Sequence, residues 1–83
     1  MERQQVIIEI PQTVLAAEGM DAETFAHELK LLAAIKLFEL RRLSSTRAGE
    51  LAGLSRLEFM LTLGRYKVFP FLAELEELEQ QNG

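Results

Sequence analysis

The chain lacks cysteine and tryptophan, and it has one histidine and two prolines among its 83 residues. Without cysteine it can form no disulfide and no thiolate metal site, and a lone histidine is too few for a zinc site made by the protein alone. No apolar run has the length of a signal peptide core or a membrane span. We therefore expect one small cytoplasmic domain over residues 1–83 that binds no cofactor or metal and enters no membrane.

Charge is unevenly distributed along the chain. Residues 1–35 carry two basic and six acidic side chains, and residues 68–83 carry four glutamates. Residues 36–67 between them carry seven basic and three acidic side chains. The net charge of -4 argues against a protein that coats nucleic acid with its whole surface. The basic middle segment is compatible with a local nucleic-acid patch.

The N-terminal segment has the composition of a short β-strand. Residues 5–10 (QVIIEI) are valine or isoleucine at four of six positions and stop at Pro11. A single strand needs a partner. The sequence leaves two partners open: the same strand of a second subunit, or the segment 66–69 before Pro70.

The chain is expected to be mainly α-helical, with a long central helix over residues 22–42. Asp21 is a candidate N-cap, and Arg41 and Arg42 suit a helix C-terminus. Eleven of the sixteen residues 25–40 are Phe, Ala, Leu or Ile, so the helix is apolar around most of its circumference and must be buried on several sides. We therefore expect an intertwined homodimer. Its predicted interface residues on this helix are Phe25, Leu29, Leu32, Ile35 and Phe38.

Residues 44–65 have the spacing of a helix-turn-helix. Ser44 or Ser45 can cap a short first helix, and Gly53 is placed to end it in a left-handed conformation. An S-x-x-E capping box that begins at Ser55 opens the second helix. Two small residues of the first helix, Ala48 and Gly49, would let the second helix cross close to it. The residues expected to fill the space beneath are Leu51, Leu54, Phe59 and Leu63.

Basic side chains coincide with this motif, which favours DNA binding. Arg56, expected to be exposed at the start of the second helix, is the predicted contact to base edges. Ser55 beside it is also a predicted DNA-binding residue, and Arg47, Arg65 and Lys67 are the predicted phosphate contacts. The competing interpretation is that residues 44–65 form an ordinary packed corner, with solvated cations that compensate helix dipoles.

Residues 72–83 form an acidic C-terminal segment. Leu72, Leu75 and Leu78 share one helical face between glutamates, so the segment is either an amphipathic helix that docks on a partner or a frayed tail. These leucines complete the predicted dimer or partner contacts. We expect no catalytic residue, because no nucleophile is spaced to form a relay with His27 and no glycine-rich phosphate loop follows a strand.

Several stretches resemble uncharacterised protein family 0175, a family of small prokaryotic proteins. They are residues 32–40 (LAAIKLFEL), 48–59 (AGELAGLSRLEF) and 63–66 (LGRY), and the opening VIIEIP at 6–11 also fits. The resemblance implies an antitoxin-like helix-turn-helix protein that regulates its own transcription and is encoded beside a toxin-like nuclease, its expected protein partner. The alternative is a non-catalytic protein interaction module that does not bind DNA.

Overall fold

The computed structural model describes residues 2–68, which are mainly helical. The elements are α1 (Gln12–Glu18), α2 (Ala22–Glu39), α3 (Ser45–Ala52), α4 (Arg56–Leu63) and a 3-10 turn (Gly64–Tyr66). None of the helices in this described part is both long and apolar enough to cross a bilayer. The predictions for residues 72–83 lie outside the described residues.

Local side-chain caps fix where α2 and α3 begin. Asp21 accepts a hydrogen bond from the Thr24 backbone N–H at 2.8 Å, as its position before α2 predicts. Ser44 caps α3 by accepting from the Arg47 backbone N–H at 3.1 Å. Of the two serines that the sequence left open, the cap is Ser44, because Ser45 is already helical.

The central helix ends earlier than predicted, at Glu39 rather than near residue 42. Arg41 takes a left-handed conformation with φ 62°. Its N–H donates to the Phe38 carbonyl at 2.9 Å, and the Arg42 N–H donates to the Leu37 carbonyl at 2.8 Å. This pair of bonds is a Schellman motif, which satisfies the last helical carbonyls and turns the chain away.

The predicted N-terminal strand is not seen. Residues 5–10 have no strand partner among the described residues, and no backbone hydrogen bond joins them to the rest of that part of the chain. The alternative partner at 66–69 is unsuitable as far as it is described, because Tyr66 lies in the 3-10 turn and Lys67 is left-handed with φ 57°. Residues 5–10 have the composition of a strand, but a strand requires a neighbouring strand, and residues 2–68 do not supply one.

The core lies between the C-terminal half of α2 and the two following helices. Its buried apolar residues are Ala34, Ile35, Phe38, Ala48, Phe59, Met60 and Leu63. The rings of Phe38 and Phe59 meet edge to face, with centroids 5.6 Å apart and planes at 86°. Such a pair contributes about 0.5–1.5 kcal/mol beyond its area burial. Ile35 and Phe38, which we expected at a dimer interface, therefore lie in the core of a single chain.

The rest of α2 is only partly covered. Leu32 and Leu40 are 43% and 54% exposed, and Phe25 and Leu29 are half-buried. Among the described residues, α3 and α4 thus cover one side of a helix that is apolar on several sides. This open surface includes three of the predicted interface residues, Phe25, Leu29 and Leu32.

Candidate nucleic-acid interface

The corner formed by α3 and α4, hereafter the α3–α4 corner, is built around a close backbone approach at Gly49. A Cβ atom at this position would lie 2.9 Å from the Leu54 carbonyl oxygen and 3.4 Å from that of Ser55. The turn therefore packs directly on the backbone of α3, and Ala48 beside it is fully buried. The predicted role of the two small residues is confirmed.

Gly53 ends α3 in the predicted left-handed conformation, with φ 75°. Its N–H donates to the Glu50 carbonyl at 3.2 Å, and the Leu54 N–H donates to the Gly49 carbonyl at 2.8 Å. A side chain is strained at such a φ, so glycine is the residue that this turn favours. The turn then leads directly into the cap of α4.

The predicted capping box opens α4. The Glu58 N–H donates to Ser55 Oγ at 3.1 Å, and the Ser55 N–H donates to Glu58 Oε1 at 2.9 Å. Hydrogen bonds with Ser55 lower the pKa of Glu58 below the ordinary value of a glutamate, and the bond from the Ser55 backbone N–H has a larger effect than the bond with its hydroxyl. The box therefore holds an ionised carboxylate at the N-terminus of α4.

Arg56 is not the exposed side chain that the sequence predicted. It is half-buried, and its Nε donates to Ser45 Oγ at 2.8 Å, where Ser45 is only 5% exposed. This bond joins the first turn of α4 to the first turn of α3. Sequence reasoning missed it because the two residues are eleven positions apart and no local pattern connects them.

The three predicted phosphate contacts are exposed at opposite ends of the α3–α4 corner. Arg47, near the start of α3, forms an exposed ion pair with Glu50 at 3.1 Å. Arg65 lies in the 3-10 turn after α4, and Lys67 follows it. Neither Arg65 nor Lys67 forms an ion pair within residues 2–68. Exposed cationic side chains therefore lie before and after α4 along the chain.

The solvent-facing side of α4 is mainly apolar, which the sequence analysis did not foresee. Leu57 and Leu61 are 41% and 70% exposed, and Tyr66 beyond the helix is 37% exposed. The two leucines are four residues apart and so share a face. Helical spacing could have revealed this face, because Phe59 and Leu63 define the opposite, buried side.

The remaining candidate groups lie apart from this corner. Within residues 2–68 no cluster of three His, Cys, Asp or Glu side chains could hold a metal ion. His27 is exposed on α2. Leu72, Leu75 and Leu78, the predicted contacts of the acidic segment, lie outside the described residues.

The described chain is thus a small helical protein with a tight glycine corner and exposed cations around its last full helix. A protein-family model matches residues 1–81, and the chain belongs to that family, the Uncharacterised protein family (UPF0175). The family resemblance carried by the sequence motifs is confirmed. No curated protein and no solved structure matches the chain. Membership of this family does not by itself fix an activity.

Proposed function

We propose that the protein is a non-catalytic, cytoplasmic DNA-binding regulator of the antitoxin type, which acts as a homodimer and binds DNA through the α3–α4 corner. The main support for this proposal is that the close contact and the caps of this corner lie within the basic segment, residues 36–67. The contact at Gly49 and the caps at Gly53 and Ser55 hold α4 in one orientation. A helix-turn-helix needs such a fixed second helix to enter the major groove.

Phosphate contacts supply most of the expected affinity. Arg65 and Lys67 present exposed cations beyond the C-terminus of α4, and Arg47 presents one near the start of α3. The ion pair of Arg47 with Glu50 is exposed, and such pairs contribute little, so a DNA phosphate can compete with Glu50 for the guanidinium. A homodimer presents this set twice, which increases the number of phosphates neutralised.

Base contacts are expected to be fewer than the sequence alone implied. Because Arg56 is bonded to Ser45, it stabilises the corner, and a base contact by Arg56 would compete with that bond. Leu57 on the outer face of α4 can contact a thymine methyl group. We therefore propose strongly salt-dependent binding with modest sequence discrimination, which is compatible with regulation of the protein's own promoter.

Fluorescence anisotropy tests this proposal with the protein's own upstream duplex and a scrambled duplex, at low and physiological salt. Arg65→Glu should weaken binding to both duplexes and reduce the slope of log K against log salt by roughly one. The matched control is Lys30→Glu, the same change of charge on α2 outside the basic segment, which should leave the slope unchanged. Absence of binding at low salt, or equal effects of the two variants, would rule the proposal out.

A second function is favoured by the apolar outer face of α4. Leu57, Leu61 and Tyr66 form a surface suited to a protein partner, and the family resemblance makes a toxin-like nuclease the partner to test. Calorimetry with the product of the neighbouring gene separates the two functions. Leu61→Ala removes the exposed side chain without adding a charge to α4, so it should weaken a leucine-mediated protein complex and change DNA binding little. Arg65→Glu should weaken DNA binding and leave the protein complex unchanged.

A further inference from the structure

Residues 5–10, hereafter the N-terminal arm, combine exposed β-branched side chains with an unpaired backbone. Val6, Ile7 and Ile8 are 80%, 91% and 59% exposed. Their backbone N–H and C=O groups make no hydrogen bond to other described residues. Valine and isoleucine favour strands, and an unpaired, apolar extended segment is a template for another strand.

An apolar groove separates the N-terminal arm from α2. Its helical wall includes Phe25, Ala26, Leu29 and Ala33, and its other wall is the N-terminal arm itself. In a β-strand successive side chains point to opposite sides, so Val6, Ile8 and Ile10 would share one side of the N-terminal arm when it pairs. Ile10 is half-buried and Ile8 is less exposed than Ile7 or Val6, so Ile8 and Ile10 are the least exposed isoleucines of a groove wall that also includes Val6 and Ile7.

We propose that the N-terminal arm pairs in antiparallel fashion with the N-terminal arm of a second copy of this chain, and that the two arms together close the groove. A second copy is the favoured occupant because the other strand candidate within the chain, at 66–69, is helical at Tyr66 and left-handed at Lys67. The inference concerns the dimer alone and does not depend on DNA binding.

The apolar pattern selects a register centred on Ile7. This register places Ile7 opposite the partner's Ile7 and Val6 opposite the partner's Ile8, so two valines and two isoleucines face the groove together. Centring on Val6 instead would set the polar Gln5 opposite the partner's Ile7. In the favoured register Arg3 lies diagonally from the partner's Glu9, an attractive pair of opposite charges.

Single cysteines test the register, because the chain has no cysteine of its own. Ile7→Cys should form a disulfide-linked dimer under mild oxidation, since the two thiols lie directly opposite each other. Val6→Cys should cross-link at least about tenfold more slowly, because diagonal Cβ atoms are too far apart for an S–S bond. Thr46→Cys, exposed on α3, reports the background rate. Equal rates for Ile7→Cys and Val6→Cys would overturn the proposed register.

Sedimentation equilibrium tests the pairing itself. Ile7→Asp should raise the dimer Kd by roughly a hundredfold, because it places two like charges against each other at the centre of the paired arms. Leu61→Asp, the same kind of change at an exposed leucine of α4, should leave the Kd unchanged. Circular dichroism should show equal helix content in both variants, since neither side chain is buried in one chain.

Two results would overturn the pairing. One is a wild-type chain that stays monomeric at all concentrations. The other is an Ile7→Asp variant that dimerises as tightly as wild type, which would show that the dimer contacts are made by α2 alone. If Ile7→Asp also lost helix content, the cross-linking rates of the cysteine variants would still decide the question.

Discussion

The guanidinium Nε of Arg56 donates to Oγ of Ser45 at 2.8 Å and so joins the first turns of α3 and α4. Both groups are withdrawn from water, since Ser45 is 5% exposed and Arg56 is half-buried. The sequence predicted Arg56 as a DNA contact, but in the structure its side chain stabilises the α3–α4 corner. Variants of Arg56 therefore change the stability of the fold as well as any binding.

Arg56→Ala should lower the free energy of unfolding by about 1–3 kcal/mol, because it leaves the hydroxyl of Ser45 buried without its donor. Urea unfolding measures the loss. Arg47→Ala, which removes only an exposed ion pair, is the control and should cost about 0.5 kcal/mol or less. In a double-mutant cycle, additive effects of Arg56→Ala and Ser45→Ala would contradict the assigned bond.

Gly49→Ala should destabilise the protein although alanine has the higher helix propensity. The new Cβ would meet the Leu54 carbonyl oxygen at 2.9 Å, and overpacking of this kind typically costs about 1–3 kcal/mol. Gly64→Ala is the matched control, since Gly64 is right-handed with φ -60° and open space surrounds its Cβ position. That change should stabilise by about 0.5–1 kcal/mol. Thermal unfolding of the two variants should therefore shift in opposite directions.

Lys67→Gly should move stability and DNA binding in opposite directions. Lys67 is left-handed with φ 57°, where a side chain is strained, so glycine should raise the free energy of unfolding by about 0.5–1 kcal/mol. Loss of the cation should weaken binding to the upstream duplex. Lys67→Ala removes the same charge but keeps the strain, and it should weaken binding without stabilising. A Lys67→Gly protein that binds DNA as wild type does would remove Lys67 from the interface.

The free energy of unfolding should fall in acid, because protonation of the capping carboxylates of Asp21 and Glu58 weakens their hydrogen bonds. Hydrogen bonds from Thr24 lower the pKa of Asp21, and the bond from the Thr24 hydroxyl has the largest effect. Hydrogen bonds with Ser55 lower the pKa of Glu58. A lowered folded-state pKa gives stability that is present above the ordinary value and is lost as pH falls through the folded-state value. Glu58→Gln should flatten the dependence of Tm on pH below about pH 5, whereas Glu18→Gln, outside any capping box, should change it less.

The locally encoded features were predictable from sequence, and the long-range ones were not. The capping box of Ser55, the left-handed Gly53 and the cap at Asp21 depend on residues within four positions of one another, so the pattern alone specifies them. The bond between Arg56 and Ser45 depends on how two helices cross. No periodicity in the sequence encodes that crossing angle.

The N-terminal arm shows a different limit of sequence analysis. The β-branched composition of residues 5–10 encodes a preference for extended structure, but pairing depends on a second segment whose position this composition does not specify. Likewise, the apolar residues around α2 predict burial on several sides, but they do not distinguish contacts within one chain from contacts with a second chain. Ile35 and Phe38 proved to be core residues for this reason.

The most direct test of DNA binding by the α3–α4 corner is a backbone amide NMR titration of this 9.4 kDa chain with its own upstream duplex at physiological salt. DNA binding by this corner should cause chemical-shift changes concentrated over residues 44–67, largest near Arg47, Arg65 and Lys67, and absent from α1. Unchanged spectra, or changes confined to residues outside 44–67, would contradict it.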